Sequence, residues 1–194
     1  MSSFFKNFIV PILTGLVIAW IIITFVFQIV KVDGTSMYPN LQNGEHVMVW
    51  KLDKIKEESV IVFHAYGVDK NNPSVTKNTK YIKRVIGMPG DRIEYKNNGD
   101  LYVNGKYVSQ NYITREQRTT GTLNLLLPPA KGVTLGTGKT FTVPKGCYFV
   151  LGDNRKVSND SRYYGFVPKD KIVGVAKAPI WDKNHQLINS YDPN

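Results

Sequence analysis

One apolar segment near the N-terminus constrains this chain more than any other feature. Residues 8–30 form a 23-residue stretch without a charged side chain. As an α-helix this stretch spans about 35 Å, enough to cross a bilayer core of about 30 Å. The residues that follow, through Asp33, contain no small-residue site of the kind at which a signal peptide is removed. The segment therefore predicts one permanent transmembrane anchor between a short N-terminal segment, residues 1–7, and a domain of residues 31–194.

The charge and cysteine content of the domain narrow its possible partners. Residues 31–194 have the length of one globular domain with its own core. Cys147 is the only cysteine, so the chain forms no intramolecular disulfide. The net charge is +10, and 24 of the 25 lysines and arginines follow the anchor. We interpret this excess first as a solvated surface and second as attraction to anionic membrane lipid. Nucleic acid is not expected as a partner, because the aromatic residues are not interleaved with basic ones.

Short runs of β-branched and aromatic residues between turn residues predict that the domain is mostly β. The pair Asn104 and Gly105 predicts a tight hairpin. The pattern fades over residues 109–142, which we interpret as an excursion or lid, and no amphipathic helix is evident after residue 31. The clearest predicted strands are residues 46–50, 59–63, 91–95 and 147–151, with a hairpin over residues 101–108.

Three motifs after the anchor supply the residue types of a serine hydrolase. Ser36 lies in Gly-Thr-Ser-Met-Tyr-Pro, Lys83 lies in the apolar run Tyr-Ile-Lys-Arg-Val-Ile, and Ser158 lies in a polar run after residue 152. A serine hydroxyl needs a neighbouring base to take its proton. A buried lysine has a lowered pKa and can be that base, whereas a lone strand lysine more often extends to solvent. The three histidines adjoin none of these motifs, but a triad is defined by geometry, so a histidine base stays open.

Taken together, the motifs resemble those of type I signal peptidases, the membrane-bound enzymes that remove signal peptides from exported proteins. Their order, their spacing and the preceding anchor also agree, from about residue 8 to residue 177. The single anchor and the short domain are most similar to the Gram-positive branch, which includes staphylococcal enzymes. The matching segments are residues 34–39 (the nucleophile box), 44–49 (the strand box), 81–91 (the lysine box) and 152–165 (the last box).

The resemblance implies a β-rich catalytic domain of the signal-peptidase type with a Ser–Lys dyad. Ser36 would attack the scissile carbonyl, and Lys83 would act as general base and then as general acid. Ser158 would orient the lysine amine, and the backbone N–H of Ser36 would donate to the oxyanion. Some family members have a second serine hydroxyl two residues before the nucleophile, where this chain has Gly34. The supporting residues that the resemblance implies are two ion pairs, Asp160 with Arg162 and Asp153 with Arg84.

The same resemblance implies preproteins as substrates, with small residues at their −3 and −1 positions. It also implies a single-pass enzyme of the cell membrane with a cytoplasmic N-terminus and an extracytoplasmic catalytic domain. The few flanking charges, among them Lys6 and Lys31, determine that orientation only weakly. Apolar side chains near the motifs are the expected walls of the substrate pockets, although each of them is as well explained as core. These side chains are Val32, Met37, Leu41, Tyr81 and Ile82.

Other interpretations of single motifs have less support. Cys147 in an anchored β domain suggests a sortase-like transpeptidase, but its neighbours do not match that family. A relative without activity that only holds signal peptides is the binding-class alternative, and the retained motif residues argue against it. Ser36 lacks the Ser-x-x-Lys spacing of penicillin-binding proteins, and residues 138–140 lack the earlier glycine of a phosphate-binding loop. No clustering of ligand residues suggests a metal, no cofactor is implied, and the oligomeric state is not predicted.

Overall fold

The N-terminal segment is helical for most of its length in the computed structural model, which describes residues 2–123 and 128–189. A turn of α-helix, α1 (Ser2–Phe4), and a π-helical stretch (Phe5–Ile9) lead into α2 (Val10–Phe25). The apolar helix Phe5–Phe25 has 21 residues, long enough to cross a membrane. Nothing in the described protein covers its apolar surface.

The helix differs from the predicted anchor of residues 8–30 at both ends. It begins earlier, and it ends at Phe25, because Phe27–Lys31 forms strand β1 and pairs antiparallel with β2 (His46–Trp50). An apolar β-branched run is compatible with helix or strand, and here the pairing with β2 decides for a strand. Lys51, just after β2, joins the sheet to the helix α2, since its amine donates to Thr24 O at 2.6 Å.

A seven-stranded antiparallel sheet carries the catalytic motifs. Its other strands are β3 (Val60–His64), β4 (Lys80–Gly87), β9 (Cys147–Leu151), β10 (Val167–Pro168) and β11 (Ile172–Lys177). The strand order is β1-β2-β11-β3-β4-β9-β10. The predicted strands at residues 46–50, 59–63 and 147–151 agree with β2, β3 and β9 to within one residue.

A second, four-stranded sheet is built from one hairpin and two further strands. The strands are β5 (Arg92–Tyr95), β6 (Leu101–Val103), β7 (Lys106–Val108) and β8 (Thr140–Thr142), in the order β7-β6-β5-β8. Asn104 and Gly105 form the tip between β6 and β7 with φ of 53° and 80°, so the predicted hairpin is confirmed. The mostly β fold with one N-terminal apolar helix is confirmed as well.

Residues 109–142 contain more structure than a featureless excursion. They include a helix of nine residues, α3 (Arg115–Leu123), and strand β8, while residues 124–127 lie outside the described residues. Tyr112, Ile113 and Val133 are buried in the apolar cluster of the second sheet. The expectation of no amphipathic helix after residue 31 is therefore wrong; α3 was missed because it contains Thr and Gly residues of low helix propensity and gives little signal. The remaining helices are α4 (Ser161–Tyr164), a 3₁₀ turn (Lys169–Lys171) and α5 (His185–Asn189).

Apolar clusters cover both faces of the larger sheet. Val60 and Val62 of β3 belong to the cluster on one face, and Ile61 and Phe63 belong to the cluster on the other. Because β4 lies between β3 and β9, its last six residues are all buried. Consecutive side chains of a strand point to opposite faces, so β4 can bury neighbouring polar side chains on both sides of the sheet.

Candidate active site

The nucleophile motif forms a tight turn between β1 and β2. Tyr38 N–H donates to Thr35 O at 3.1 Å within this turn. Asn154, in the loop after β9, holds the turn from the other side of the site. Its backbone N–H donates to Ser36 O at 3.0 Å, and its side-chain amide donates to Thr35 O at 3.1 Å. Gly34 has a φ of +90°, which side-chain-bearing residues rarely adopt, so glycine permits the turn to begin there.

The structure brings the predicted nucleophile and base together. Lys83 on β4 donates from Nζ to Ser36 Oγ at 2.8 Å, and its other hydrogen bond is to Ile82 O at 3.0 Å. The lysine is only 3% exposed. In the described part of the chain no histidine hydrogen-bonds to Ser36, so the geometry favours lysine over the histidine alternative.

The environment shifts the Lys83 amine toward its neutral form. Burial is the main cause, and it lowers the pKa of the amine from 10.5 to about 8. Arg162 acts in the same direction, whereas the carboxylates of Asp160, Asp153 and Asp69 favour the charged form and oppose the shift. A neutral amine in contact with a hydroxyl can accept its proton, so this pair has the chemistry of a nucleophile and a general base.

Comparison with known proteins agrees with this geometry. The sequence profile of the family described as signal peptidase, peptidase S26, matches residues 5–181. The chain belongs to the signal peptidase family. It is therefore a serine peptidase, a hydrolase, and its substrates are preproteins that carry signal peptides. The resemblance inferred from the four boxes is thus confirmed.

The related proteins cover nearly the whole chain. A signal peptidase IB of Staphylococcus aureus is 38% identical over 191 residues, which is 93% of this chain and 92% of the relative. A signal peptidase I of Bacillus caldolyticus is 44% identical over 167 residues, or 81% of each chain. A crystal structure of a signal peptidase I from Enterococcus faecalis is 32% identical, covers 63% of this chain and 97% of its own, and has a TM-score of 0.45.

Two buried ion pairs lie near Ser36 and Lys83 of this signal peptidase. Arg84 binds Asp153 through both ends of its guanidinium, at 2.9 Å from Nε to Oδ1 and 2.7 Å from Nη2 to Oδ2. Arg162 binds Asp160 in the same way, at 2.8 Å for each bond. All four side chains are buried. Asn40 donates to Asp153 Oδ2 at 2.8 Å, which ties the nucleophile turn to the first pair.

Ser158 lies beside Ser36 and Lys83, but its hydroxyl does not bond to Lys83 in this structure. The side chain is 2% exposed, and among the described residues Oγ has no partner of good hydrogen-bond geometry. It lies near the Asp160 carboxylate; against the effect of burial, the pKa of this carboxylate is lowered chiefly by Arg162 and to a lesser extent by Ser158. Gly152 shows how closely the two serines approach. A Cβ at this glycine would clash with the Ser158 side chain and with the carbonyl oxygen of Ser36. The absence of a side chain at Gly152 therefore lets the two loops meet.

A cleft of about 320 Å³ is lined by both Ser36 and Lys83. Leu41 does not line it, because this side chain is fully buried in an apolar cluster of the larger sheet. The cleft thus brings together four of the five residues expected around the substrate: Val32, Met37, Tyr81 and Ile82. Three of these four also belong to the same cluster as Leu41, so they are core and cleft wall at once.

Arg155 is a buried residue of the last box, and the resemblance to signal peptidases assigns it no role; only the sortase-like alternative pairs it with Cys147. It is 1% exposed, and its guanidinium donates to Tyr95 OH at 2.7 Å, Gln110 Oε1 at 2.7 Å and Tyr112 OH at 3.0 Å. These bonds join the loop after β9 to the second sheet and to residues 109–142. The signal in the sequence is an arginine next to Asn154 in a glycine and aspartate motif, but its partners lie far away in the sequence.

Cys147 lies outside this site. It is the first residue of β9, pairs with Pro168 of β10, and does not line the cleft. Burial raises the pKa of its thiol, which disfavours the thiolate needed for nucleophilic attack. The sortase-like alternative therefore finds no support in the geometry.

Proposed function

We propose that this signal peptidase cleaves preproteins with a Ser36–Lys83 dyad. Lys83 Nζ takes the proton of Ser36 Oγ as the oxygen forms a bond to the scissile carbonyl carbon. The protonated amine gives that proton to the leaving nitrogen as the C–N bond breaks, which leaves an acyl-enzyme. Water then hydrolyses the ester with Lys83 again as base. One observation carries the proposal: a buried lysine with a pKa of about 8 lies 2.8 Å from the serine hydroxyl.

The surrounding polar residues receive supporting roles in this proposal. The bidentate pairs with Arg84 and Arg162 engage the nearby carboxylates of Asp153 and Asp160, which would otherwise stabilise a charged lysine. The Ser158 hydroxyl is buried near the Asp160 carboxylate without a well-formed hydrogen bond, so a rotation about its χ1 can direct that hydroxyl toward the Lys83 amine and orient it. The oxyanion is assigned to the backbone N–H of the nucleophile, and Gly34 supplies no second hydroxyl.

The cleft supports a preference for small residues at the −3 and −1 positions of the substrate. Val32, Met37 and Ile82 are less than a tenth exposed and belong to a packed apolar cluster. Such walls yield little, so a bulky substrate side chain would overfill them, whereas alanine fits. Tyr81 forms a further part of the wall.

We further propose that the apolar helix is the anchor and that the edge of the larger sheet rests on the membrane. The N-terminal end of the helix lies in the cytoplasm, the helix Phe5–Phe25 spans the membrane, and the catalytic domain that begins with β1 lies outside. Ile29 pairs with Met48 across β1 and β2, Trp50 lies on the same face, and Leu52 follows. These side chains are 36% to 75% exposed just beyond the helix. Apolar side chains in that position favour the lipid interface, and the net charge of +10 favours anionic lipid.

The orientation and the lipid contact have separate tests. Protease added to intact spheroplasts should digest the catalytic domain and spare a tag fused to the N-terminus; the reverse pattern would refute the orientation.

Vesicles of phosphatidylcholine with added phosphatidylglycerol should support faster cleavage of an inserted preprotein than phosphatidylcholine alone. Ile29→Ser with Leu52→Ser should reduce cleavage of the inserted preprotein and leave cleavage of a soluble peptide unchanged. Equal effects on both substrates would exclude the lipid contact.

The decisive experiment is cleavage of a preprotein by the purified, detergent-solubilised full chain, with sequencing of the new N-terminus. Wild type should cut after a small residue, and Ser36→Ala and Lys83→Ala should each lose at least about a thousandfold in kcat, because the two side chains act as a unit. Cys147→Ser is the matched control and should retain full activity. Robust turnover by either dyad variant would refute the mechanism. Loss of turnover only in the cysteine variant would instead support the sortase-like reaction.

A further inference from the structure

A buried carboxylate outside the four boxes contacts two walls of the active-site cleft. Asp69 lies in the turn after β3, where its backbone N–H donates to Ala65 O at 3.0 Å. Its side chain accepts three hydrogen bonds at Oδ2, from Tyr81 OH at 2.9 Å, Asn159 Nδ2 at 2.7 Å and Asn72 Nδ2 at 3.4 Å. Asp69 is 6% exposed. Among the ion pairs of the described residues, none includes this carboxylate.

The partners of Asp69 belong to the catalytic machinery. Tyr81 precedes the base by two residues on β4, and its ring lies 5.3 Å from Lys83 Nζ. Asn159 lies between Ser158 and Asp160 in the loop after β9. One carboxylate therefore joins the turn after β3, the strand of the base and the loop that carries the supporting residues.

The network also forms the partition between two cavities. Asn72, Tyr81 and Asn159 line the cleft beside Ser36. Asp69, Asn72 and Asn159 line a neighbouring cavity of about 570 Å³. The wall between the two cavities is thus held by hydrogen bonds to one oxygen atom. Burial, and next the hydrogen bond to Asp69, raise the pKa of Tyr81 to about 12, so the phenol stays a donor to the carboxylate over the working range of pH.

The charge of Asp69 acts on the base as well. The charged groups around Lys83 are Asp160 and Arg162 at the start of α4, Asp153 after β9, and Asp69 after β3. Arg162 and Arg84 compensate the first two carboxylates, whereas Asp69 is compensated only by neutral donors. A carboxylate near a lysine favours the charged amine, and burial limits the screening of that field by salt.

We propose that Asp69 is a positioning residue of the reaction, which fixes Tyr81 and Asn159 as one wall of the substrate cleft and sets the charge balance at Lys83. The inference rests on the proposed Ser36–Lys83 dyad. A single side chain then has two effects: the hydrogen bonds determine how well the cleft holds substrate, and the charge raises the pH at which the base, kept neutral mainly by burial, becomes active.

The test is the pH profile of kcat/KM, together with KM and the thermal unfolding midpoint, for the full chain acting on a preprotein with alanine at −3 and −1. In Asp69→Asn the amide oxygen still accepts hydrogen bonds but the charge is gone. The acid limb should therefore move to lower pH while KM changes by less than about twofold. Asp69→Ala should show the same limb shift and a KM about tenfold higher, since the hydrogen bonds are lost too.

Two further variants separate the two roles. Tyr81→Phe removes the hydrogen bond that the phenol donates to Asp69 and the one that it accepts from Asn72, but it leaves the carboxylate. KM should therefore rise with the acid limb unmoved. Asp170→Asn removes an exposed carboxylate on the 3₁₀ turn Lys169–Lys171 and should change neither quantity. If Asp69→Ala does not fold, Asp69→Asn alone decides the question of charge.

The outcomes also distinguish this inference from the dyad itself. A wild-type profile without an acid limb, or turnover by Lys83→Ala, would refute the dyad. A wild-type limb, an inactive Lys83→Ala and an unmoved limb in folded Asp69→Asn would refute the inference and leave the dyad intact. A lower unfolding midpoint with unchanged KM and an unchanged limb would make Asp69 merely structural, which also overturns the inference.

Discussion

Lys83 and Arg84 are consecutive on β4 and both buried, but only the arginine has a carboxylate partner. Arg84 forms a two-bond pair with Asp153 on its face of the sheet. Among the described residues no carboxylate lies within ion-pairing distance of Lys83, whose amine bonds to Ser36 Oγ and Ile82 O. Burial therefore lowers the pKa of the lysine to about 8, so that its amine can lose the proton near neutral pH, whereas the paired arginine stays charged. This contrast is what allows one of two adjacent cations to act as a base.

The first prediction concerns the pH dependence of cleavage. Because burial lowers the pKa of Lys83 to about 8, activity should be low below that pH and rise as the amine loses its proton. Well below the pKa, kcat/KM should increase about tenfold per pH unit, as the neutral fraction does. Initial rates of preprotein cleavage between pH 5 and pH 10 measure this. Lys83→Arg stays charged throughout, so it should be inactive at every pH; a profile that is flat for wild type would contradict the assignment.

A second prediction follows from the stability cost of the buried amine. The folded-state pKa of about 8 lies below the unfolded value of 10.5, so the unfolded chain binds the proton more tightly. Burying the charged amine therefore lowers the free energy of unfolding. This loss is about 3 kcal/mol below pH 8, and it disappears as the pH rises toward 10.5. Lys83→Met should therefore raise the free energy of unfolding at pH 7, with a gain that fades above pH 8. Lys106→Met on β7, at an exposed position, is the control.

Failure of that gain would be informative. Thermal or urea unfolding of the full chain in detergent at pH 7 and pH 10 compares the two variants with wild type. If Lys83→Met were destabilising to the same extent at both pH values, the native lysine would not carry a burial penalty and could not be a base with a lowered pKa. Stabilisation at the cost of activity is expected where a site is built for function.

Much of the fold and of the site could be predicted from short-range signals. The hairpin at Asn104 and the strands β2 and β9 follow from turn residues and β-branched runs. Ser36 and Lys83 were identified because each lies in a motif whose order and spacing resemble one family. Their contact depends on pairing between distant strands, and no periodicity in the sequence contains that information.

The remaining features depend on tertiary contacts. The end of the helix at Phe25 depends on pairing of β1 with β2, because the apolar run continues without a break. Leu41 and Met37 are both apolar and both buried in the core, and only the tertiary packing brings Met37 to the cleft wall as well. Asp69 stands in a polar loop with no motif around it, so its role is visible only once β4 and the loop after β9 are assembled.

A third prediction concerns the glycine at which the two serine loops meet. Gly152→Ala adds a Cβ that would clash with Ser158 and with Ser36 O, both of them held in place by neighbouring elements. One of the two loops must move, and displacements of about 1 Å at a reacting atom cost on the order of a hundredfold in rate. We expect kcat to fall by about that factor. Gly105→Ala is the control: no atom lies near its Cβ position, but the φ of +80° makes alanine strained at this exposed hairpin tip, so the variant should lose some stability and leave kcat unchanged.

A fourth prediction contrasts a buried ion pair with an exposed one. Asp153→Asn leaves Arg84 buried with its charge uncompensated, which should lower the free energy of unfolding by about 3–5 kcal/mol. The matched control is Asp53→Asn, which removes the partner of Lys177 at 3.6 Å from a partly exposed pair. That change should cost less than about 1 kcal/mol. Similar losses of unfolding free energy in the two variants, measured by urea unfolding, would show that the Arg84–Asp153 pair does not stabilise the fold as predicted.

The last prediction tests the cleft as a selector of substrate. A preprotein with alanine at −1 should be cleaved efficiently, and one with tryptophan at −1 should be refused, with initial rates that differ by at least about a hundredfold. Met37 and Ile82 line the cleft and also pack in the core, so they cannot move aside to make room for a bulky substrate side chain. Leu41→Ala provides the control, because this residue is core alone. It should lower stability by about 2–5 kcal/mol and leave the ratio of the two rates unchanged. Equal rates for the alanine and tryptophan substrates would show that selection for small residues arises elsewhere than in this cleft.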